Sequence, residues 1–221
     1  MRLFALDARL RAIAERIPQG ARIWDVGTDH ARLPVWLIVS GKIETAVVSD
    51  IGEGPLDSAR GTAKTFGVSK KMEFVLRDGL PENAPEKANT FIIAGMGGGT
   101  IASILERAKW TQKKGVSLFL QAMSSAEDLR AFLYAGNYKI TAETPISDGH
   151  RRYVIIEAEG GGAPETFDRA DLISGKLIFE REHILRGIKR LENEISGEND
   201  KQKPALFAAV KKLEGYIDGD S

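Results

Sequence analysis

The sequence contains no cysteine, and only three of its 221 residues are histidines. The lack of cysteine excludes disulfide bonds, thiolate metal ligands and cysteine nucleophiles, and it fits the reducing environment of a cytoplasm. The histidines, His30, His150 and His183, do not have the spacing of metal ligands. We therefore predict no metal site.

The sequence also has no excess of positive or negative charge, because 31 Lys and Arg residues balance 31 Asp and Glu residues. The overall charge neither favours nor excludes a nucleic-acid partner. The longest uncharged run, from about Thr90 to Leu105, is shorter than the ~20 residues that a membrane span needs. Charges every few residues interrupt the N-terminal segment, unlike a signal peptide. We expect a cytoplasmic protein without a membrane segment.

Over the first 160 residues, apolar runs of strand length alternate with helical patterns. This alternation predicts an α/β fold, with a parallel sheet covered by helices on both faces. Two final strands, joined by the turn "DGH", predict a hairpin that adds an antiparallel edge. The predicted strands are 21–27, 45–50, 72–79, 90–96, 116–123, 138–147 and 151–159, and the predicted helices are 2–17, 33–41, 53–67, 100–110 and 125–137.

After a glycine-rich linker at 160–166, the apolar residues repeat at heptad-like spacing. Two narrow stripes separated by a short polar turn predict an antiparallel helical hairpin, or coiled coil. We therefore expect two domains, 1–160 and 161–221. The first stripe contains Ile173, Leu177, Ile184, Ile188, Leu191 and Ile195, and the second contains Leu206, Val210, Leu213 and Ile217.

Acids and glycines follow the predicted strands, at the edge of the sheet where α/β folds bind ligands. Asp50 can accept hydrogen bonds from two ribose hydroxyls, or it can cap the following helix. Asp78 can accept from an adenine amino group beside Gly79, or "DG" can be an ordinary turn. The run from Gly95 to Gly98 can bring backbone close to a reacting group, pack helix against sheet, or do both.

The first strand leads into the turn "IWDVGTDHARLP", which resembles a nucleotide-binding turn without its later glycines. Asp29 and Arg32 stand at the second and third glycine positions of G-x-G-x-x-G. A carboxylate there repels a pyrophosphate and attracts a cation. S-adenosylmethionine has an adenosine, a sulfonium and an ammonium but no phosphate, so the turn favours this methyl donor over NAD or FAD. His30 has an alternative role as a structural residue bonded to a neighbouring loop.

Arginines repeat along the predicted N-terminal helix. Arg2, Arg9 and Arg16 are seven residues apart, with Arg11 nearby. This face is either solvated or in contact with nucleic-acid phosphates.

Seven segments resemble, in order and spacing, the bacterial tRNA (adenine-22, N1)-methyltransferases. The resemblance covers about Leu10 to Glu159, and the helical hairpin is similar to the coiled-coil C-terminal domain of that family. It implies a Rossmann-like class I methyltransferase fold, S-adenosylmethionine as cofactor and methyl transfer to N1 of an adenine in the D-arm region of tRNA. The segments are "DVGTDHARLP", "EGPLDSA", "RDGL", "IIAGMGG", "LQAM", "LRAFL" and "RRYVIIEAE".

Carried over to this chain, the resemblance implies a set of site residues. Apart from the resemblance, Asp29 is the candidate catalytic residue because it is the acid that replaces a glycine in the turn. It would stabilise the positive charge that develops on the adenine; alternatively, it holds the cofactor's ammonium. This chain departs from the family at Ala122, where proline is usual after Gln121, and at Arg32, where an aromatic residue is usual. The implied cofactor-binding residues are Asp25, Gly27, Thr28, Asp29, His30, Asp50, Ile51, Asp78, Gly79, Gly95 and Met96.

From the residues alone, other functions stay open. The chain could methylate another RNA or a small molecule, act as an NAD(P)-dependent oxidoreductase, or bind RNA without catalysis. With tRNA as the partner, we expect a monomer or a weak homodimer. Candidate basic contacts are Lys70, Lys71, Lys113, Lys114, Arg151, Arg152, Arg186, Lys189, Arg190, Lys211 and Lys212.

Overall fold

The computed structural model describes residues 4–28, 30–149, 151–178, 180–197 and 202–218. Seven strands of these residues form one sheet, in the order β3-β2-β1-β4-β5-β7-β6. The strands are β1 (Ile23–Val26), β2 (Ala46–Asp50), β3 (Met72–Leu76), β4 (Thr90–Gly97), β5 (Ser117–Ser124), β6 (Tyr138–Asp148) and β7 (Arg151–Gly160).

The sheet is parallel from β3 to β5 and ends in an antiparallel hairpin. β1 pairs in parallel with both β2 and β4, so the strand order reverses between β1 and β4. β7 lies antiparallel between β5 and β6. This arrangement confirms the predicted α/β class with its antiparallel edge hairpin.

Helices connect the parallel strands and pack on both faces. The short helix α4 and two 3₁₀ helices, Ser69–Lys71 and Lys109–Gln112, were not predicted. The helices are α1 (Ala8–Arg16), α2 (Arg32–Val39), α3 (Glu53–Thr65), α4 (Ala84–Lys87), α5 (Gly98–Arg107), α6 (Ala126–Ala135), α7 (Arg169–Ser174), α8 (Arg181–Gly197) and α9 (Lys203–Asp218).

The N-terminal helix is shorter than predicted. It begins after Asp7, whose side chain accepts a hydrogen bond from the backbone N–H of Leu10 at 2.7 Å. A capping aspartate satisfies one of the free amides of the first turn, which fixes where the helix starts. The prediction of a helix from residue 2 is therefore wrong for residues 4–7, and Arg2 lies outside the described residues.

Alternate residues of the central strands enter two separate cores. On β4, Phe91 and Ile93 pack in the core that contains Leu118 and Leu133. Ile92, between them, packs on the opposite face with Ile13 and other residues of the second core. This period of two is the consequence of a strand that is buried on both faces.

The C-terminal helices α8 and α9 pack on each other, as predicted. Their core contains the expected stripe residues from Ile184 to Leu213, together with Ile173 of α7. The first stripe is not one continuous helix, however. Leu177 lies between α7 and α8 and is 42% exposed, so its assignment to the stripe is wrong. The break follows Ser174, where Gly175 has a φ of +80° that favours glycine.

Among the helices of the described ranges, none is both long enough and apolar enough to cross a membrane.

Candidate active site

A cavity of about 350 Å³ opens where the strand order reverses, at the carboxyl ends of β1 and β4. This is the place where open α/β sheets bind their ligands. Five of the predicted cofactor residues line it, together with residues of α1 and α2. The lining residues are Asp7, Arg9, Leu10, Asp25, Gly27, Thr28, His30, Arg32, Leu33, Ala94 and Gly95.

Asp25 is the buried acid of this cavity. It lies on β1 between two neighbouring strands and is only 7% exposed. Burial raises the pKa of Asp25 from its ordinary 3.8 to about 7, although a hydrogen bond from Thr28 and the charge of Arg9 oppose the rise. The Thr28 hydroxyl donates to Asp25 Oδ2 at 2.7 Å. A cationic ligand would stabilise the ionised carboxylate.

Gly27 forms the turn that follows β1. Its φ is +73°, and its N–H donates to the carbonyl oxygen of Ser49 at 2.8 Å. A Cβ at this position would collide with the methyl group of Met96. The backbone conformation therefore favours glycine here, and any Cβ would force the Met96 methyl group to move.

Asp50 ends β2 and is half-buried. Its Oδ1 accepts a hydrogen bond from the N–H of Gly52 at 2.9 Å. Gly52, not Asp50, is the capping residue of α3, so the alternative of a helix cap is not what the structure shows. The neighbouring Ile51 is 74% exposed, an apolar side chain open to a ligand beside the acid.

Asp78 follows β3 and forms an ion pair that the sequence did not reveal. Arg107 of α5 donates from Nη1 to Asp78 Oδ2 at 2.6 Å and from Nη2 to Oδ1 at 3.0 Å. This pairing holds the pKa of the Asp78 carboxyl below its ordinary value. Gly79, with a φ of +72°, lies directly beside the pair, since a Cβ there would be 3.4 Å from Arg107 Nη2. Asp50 and Asp78 follow adjacent strands, but neither lines the cavity of Asp25.

The glycines at the end of β4 and the start of α5 border the cavity or allow close packing, and their predicted place beside a reacting group stays a prediction. Gly95 has a φ of +85°, sits where the β4–β5 register shifts and lines the cavity. Gly98 begins α5, and a Cβ there would collide with the carbonyl oxygen of Ser125. Close packing of α5 against the start of α6 therefore excludes any side chain at Gly98.

Two arginines of α1 do not form the exposed basic face that their spacing predicts. Arg9 turns into the cavity and is 19% exposed, and its Nη2 lies 3.6 Å from Asp7 Oδ2. Arg16 contacts the hairpin, with Nε 3.1 Å from Glu157 Oε1. Arg9 is thus a cavity residue that the helical pattern could not distinguish from a solvated one.

Besides Arg2, two residues discussed in the sequence analysis lie outside the part of the chain that the structure describes. They are Asp29, the candidate catalytic residue, and His150. His30 is exposed at the cavity, next to Asp29 in the chain. Within the part of the chain that the structure describes, no group of three or more His, Cys, Asp or Glu residues is placed to hold a metal ion.

Comparison with known proteins decides the family of the chain. Residues 6–156 match a methyltransferase domain. The chain is also 33% identical over 173 residues to the tRNA (adenine(22)-N(1))-methyltransferase of Bacillus subtilis, covering 78% of this chain and 73% of that protein. The chain belongs to this methyltransferase family.

Solved structures agree with this membership in the tRNA (adenine(22)-N(1))-methyltransferase family. A Streptococcus pneumoniae protein in complex with S-adenosyl-L-methionine superimposes with a TM-score of 0.80 at 26% identity, over 96% of this chain and all of that chain. M. capricolum TrmK in complex with S-adenosyl-homocysteine superimposes with a TM-score of 0.75 at 25% identity, over 98% and 99% of the two chains. The likeness covers the C-terminal helices as well as the sheet.

Proposed function

We propose that this protein transfers a methyl group from S-adenosylmethionine to N1 of adenine 22 in tRNA. Membership of the tRNA (adenine(22)-N(1))-methyltransferase family carries the proposal. The position of the cavity, at the reversal of strand order between β1 and β4, supports it.

The charges around the site fit the methyl donor. Asp25 offers a carboxylate to the donor's ammonium, and Arg9 offers a guanidinium to its carboxylate. Outside this cavity, we propose that Asp50 and Asp78 accept hydrogen bonds from ribose hydroxyls and from the adenine amino group. Exposed Ile51 provides an apolar surface for the base. Gly27, Thr28, His30, Gly79, Gly95 and Met96 complete the proposed cofactor-binding set.

The protein's task in this reaction is mainly to position two reactants. S-adenosylmethionine supplies an electrophilic methyl group, and adenine N1 is a weak neutral nucleophile on the Watson–Crick edge. Because that edge is inaccessible in a paired base, the adenine must leave the stack to react. Good alignment alone contributes effective molarities of ~10⁵ M or more. Asp29 is the proposed acid near the adenine, where it would stabilise the positive charge of the product.

The C-terminal helices are proposed as a second domain, 161–221, that contacts tRNA beside the methyltransferase domain, 1–160. Exposed lysines of the first domain, including Lys70 and Lys113, are candidate phosphate contacts. Several basic residues of the helices already pair within the protein, as Lys212 does with Asp171 at 2.6 Å. We propose that the enzyme works in the cytoplasm as a monomer or a weak homodimer.

The test is methyl transfer to unmodified tRNA transcripts, followed by mass spectrometry of the nucleosides. We expect 1-methyladenosine with a transcript that has adenine at position 22, and none when that adenine is replaced by guanine. Asp29→Ala should abolish the product, whereas Asp57→Ala, at an exposed residue of α3, should not. Tight binding of S-adenosylmethionine without any methylated tRNA would contradict the proposed substrate and leave the cofactor assignment intact.

A further inference from the structure

A buried glutamine, Gln121, lies on β5 beside the proposed site. It is 0% exposed, in a strand whose neighbouring residues are apolar. Burying an amide is unfavourable unless its polar atoms are hydrogen-bonded. Its Nε2 donates to the carbonyl oxygen of Ala122 at 2.7 Å. The other end of the amide, Oε1, is directed at the site.

Gln121 Oε1 accepts two hydrogen bonds from different parts of the chain. One comes from the backbone N–H of Gly95 at 3.2 Å, and the other from Arg9 Nη1 at 3.0 Å. Both groups are donors only, so the amide cannot be flipped without placing its NH₂ against two other donors. The contacts fix the orientation of the Gln121 side chain.

The bond to Gly95 replaces a missing contact of the sheet. β4 and β5 pair regularly up to Ala94 and Gln121, and the register then shifts before Met96 and Ala122. A bulged residue is left without its regular partner on the neighbouring strand. The Gln121 side chain supplies that partner, and so holds the backbone of Gly95 where it lines the cavity.

The bond to Arg9 holds the cation of the same cavity. Arg9 reaches this point from α1, and a Cβ on Gly95 would lie 3.4 Å from Arg9 Nη1. The guanidinium therefore rests directly over the bulge. One buried oxygen thus ties together the N-terminal helix and the strand end that border the site.

We infer that Gln121 is a positioning residue for methyl transfer, which acts through Arg9 and Gly95 and does not itself touch either substrate. The inference rests on the proposed function, because it gives the residue a role in that reaction. If Gln121 had a purely structural role, its substitution would affect methyl transfer no more than an equally destabilising substitution of another buried residue of β5.

Binding of S-adenosylmethionine, measured by calorimetry, tests the inference without any turnover. We expect Arg9→Met to weaken binding by about 10-fold or more, since it removes a charged partner. Gln121→Leu should weaken binding by about 3- to 10-fold. The double variant should bind more tightly than the product of the two single effects predicts, because the part of the Gln121 effect that passes through Arg9 is already lost in Arg9→Met. Multiplying effects in the double variant would overturn the inference, because Gln121 would then act independently of Arg9.

Steady-state methylation of tRNA gives the second readout. We expect Gln121→Leu to lower kcat by about 10- to 100-fold with little change in the KM for tRNA, because small misplacements near reacting groups are costly. Gln121→Glu keeps an acceptor oxygen towards Arg9 and Gly95 but loses the Nε2 donor to the Ala122 carbonyl oxygen, so it should retain more of kcat than Gln121→Leu. Should the leucine variant not fold, Gln121→Asn draws the oxygen back by one methylene and is expected to lower kcat as well.

Leu118→Val and Leu118→Ala are the matched controls. Leu118 is a fully buried residue of the same strand, away from the cavity, so its variants reproduce a loss of stability without the loss of the acceptor. A kcat of Gln121→Leu no lower than that of a control with the same Tm would overturn the inference. If wild-type protein methylates no tRNA, the proposed function fails. The affinities of the single and double variants for S-adenosylmethionine still show whether Gln121 acts through Arg9.

Discussion

The guanidinium of Arg130 on α6 and the carboxylate of Glu143 on β6 form a buried ion pair, with 2.6 Å between Nε and Oε1. Arg130 Nη1 also donates to the carbonyl oxygens of Leu172 and Ile173 at 2.9 and 3.1 Å, near the end of α7. Glu143 Oε2 accepts from the N–H of Leu177 at 3.3 Å. The pair therefore fastens the segment that leads into the C-terminal helices to the sheet.

Removing one partner of this pair should strongly destabilise the protein. Glu143→Ala leaves the Arg130 charge buried and unpaired, and we expect the free energy of unfolding to fall by about 3–5 kcal/mol. Urea denaturation measures this change. The control is Glu165→Gln, which breaks an exposed pair with Lys176 and should leave the midpoint nearly unchanged. Equal midpoints for the two variants would mean that the buried pair does not fasten the segment.

The buried carboxyl of Asp25 should make stability depend on pH. The pKa of Asp25 is about 7 in the folded protein, against an ordinary 3.8. Between these values the folded state binds more protons than the unfolded state, so the free energy of unfolding falls as pH rises from 4 to 7. The total contribution of this group is up to about 4 kcal/mol.

Asp25→Asn removes this dependence and isolates it from other titrating groups. We expect the variant to gain stability over the wild type as pH rises from 4 to 7, and the difference to be constant at higher pH. Thermal unfolding across this range measures the difference. Asp57→Asn, on the exposed face of α3, is the control and should follow the wild-type curve. Parallel curves for Asp25→Asn and the wild type would contradict the raised pKa of Asp25.

Gly27→Ala and Gly20→Ala separate the effect of backbone strain from that of a local contact. The two glycines have nearly the same φ, +73° and +75°, but only a Cβ at Gly27 meets another group, the methyl of Met96. We expect a loss of about 1–2 kcal/mol for Gly20→Ala from strain alone, and a larger loss for Gly27→Ala. Chemical denaturation of the two variants gives both values.

Removing the Met96 side chain should reduce the difference in stability loss between Gly27→Ala and Gly20→Ala. In a Gly27→Ala, Met96→Ala double variant the contact is gone and only the backbone strain remains. The double variant should therefore be less stable than Met96→Ala by about as much as Gly20→Ala is less stable than the wild type. S-adenosylmethionine should bind weakly to Gly27→Ala and normally to Gly20→Ala. Equal losses of stability and affinity at both glycines would show that the contact with Met96 has no role.

The pair between Asp78 and Arg107 should matter for binding more than for folding. Arg107→Gln removes the side chain that orients Asp78 and lowers its pKa. We expect the affinity for S-adenosylmethionine to fall by about 10-fold, because a charge-assisted contact becomes poorly oriented. Calorimetry measures the affinity, and the Tm should barely change, since exposed ion pairs contribute little to stability.

Arg60→Gln is the matched control for this variant. Arg60 forms exposed pairs with Glu53 and Asp57 on α3, away from the cavity. Its replacement should change neither the affinity nor the Tm. An Arg107→Gln variant that binds as tightly as Arg60→Gln would remove Asp78 from the proposed cofactor-binding set.

The sequence by itself determined the α/β class and the edge of the sheet that carries the site. The periodicity of the strands depends only on residues that are close together in the sequence. The same is true of the acids and glycines that follow each strand. Gly27 and Gly95 could be singled out for this reason: the positive φ that each adopts is a property of its own backbone. The same holds for the heptad stripes of α8 and α9, whose packing follows from spacing alone.

Only the tertiary structure decided which polar side chains meet. Arg9 and Gln121 are 112 residues apart, and Asp78 and Arg107 are 29 apart, so no local pattern relates the members of either pair. The raised pKa of Asp25 likewise arises from burial between neighbouring strands, which the spacing of residues does not reveal. Helical spacing placed Arg9 on an exposed face, whereas the packing of α1 against β6, β7 and α2 directs its side chain into the site. Contacts between distant segments depend on how the whole chain packs, and this is why they had to be read from the fold.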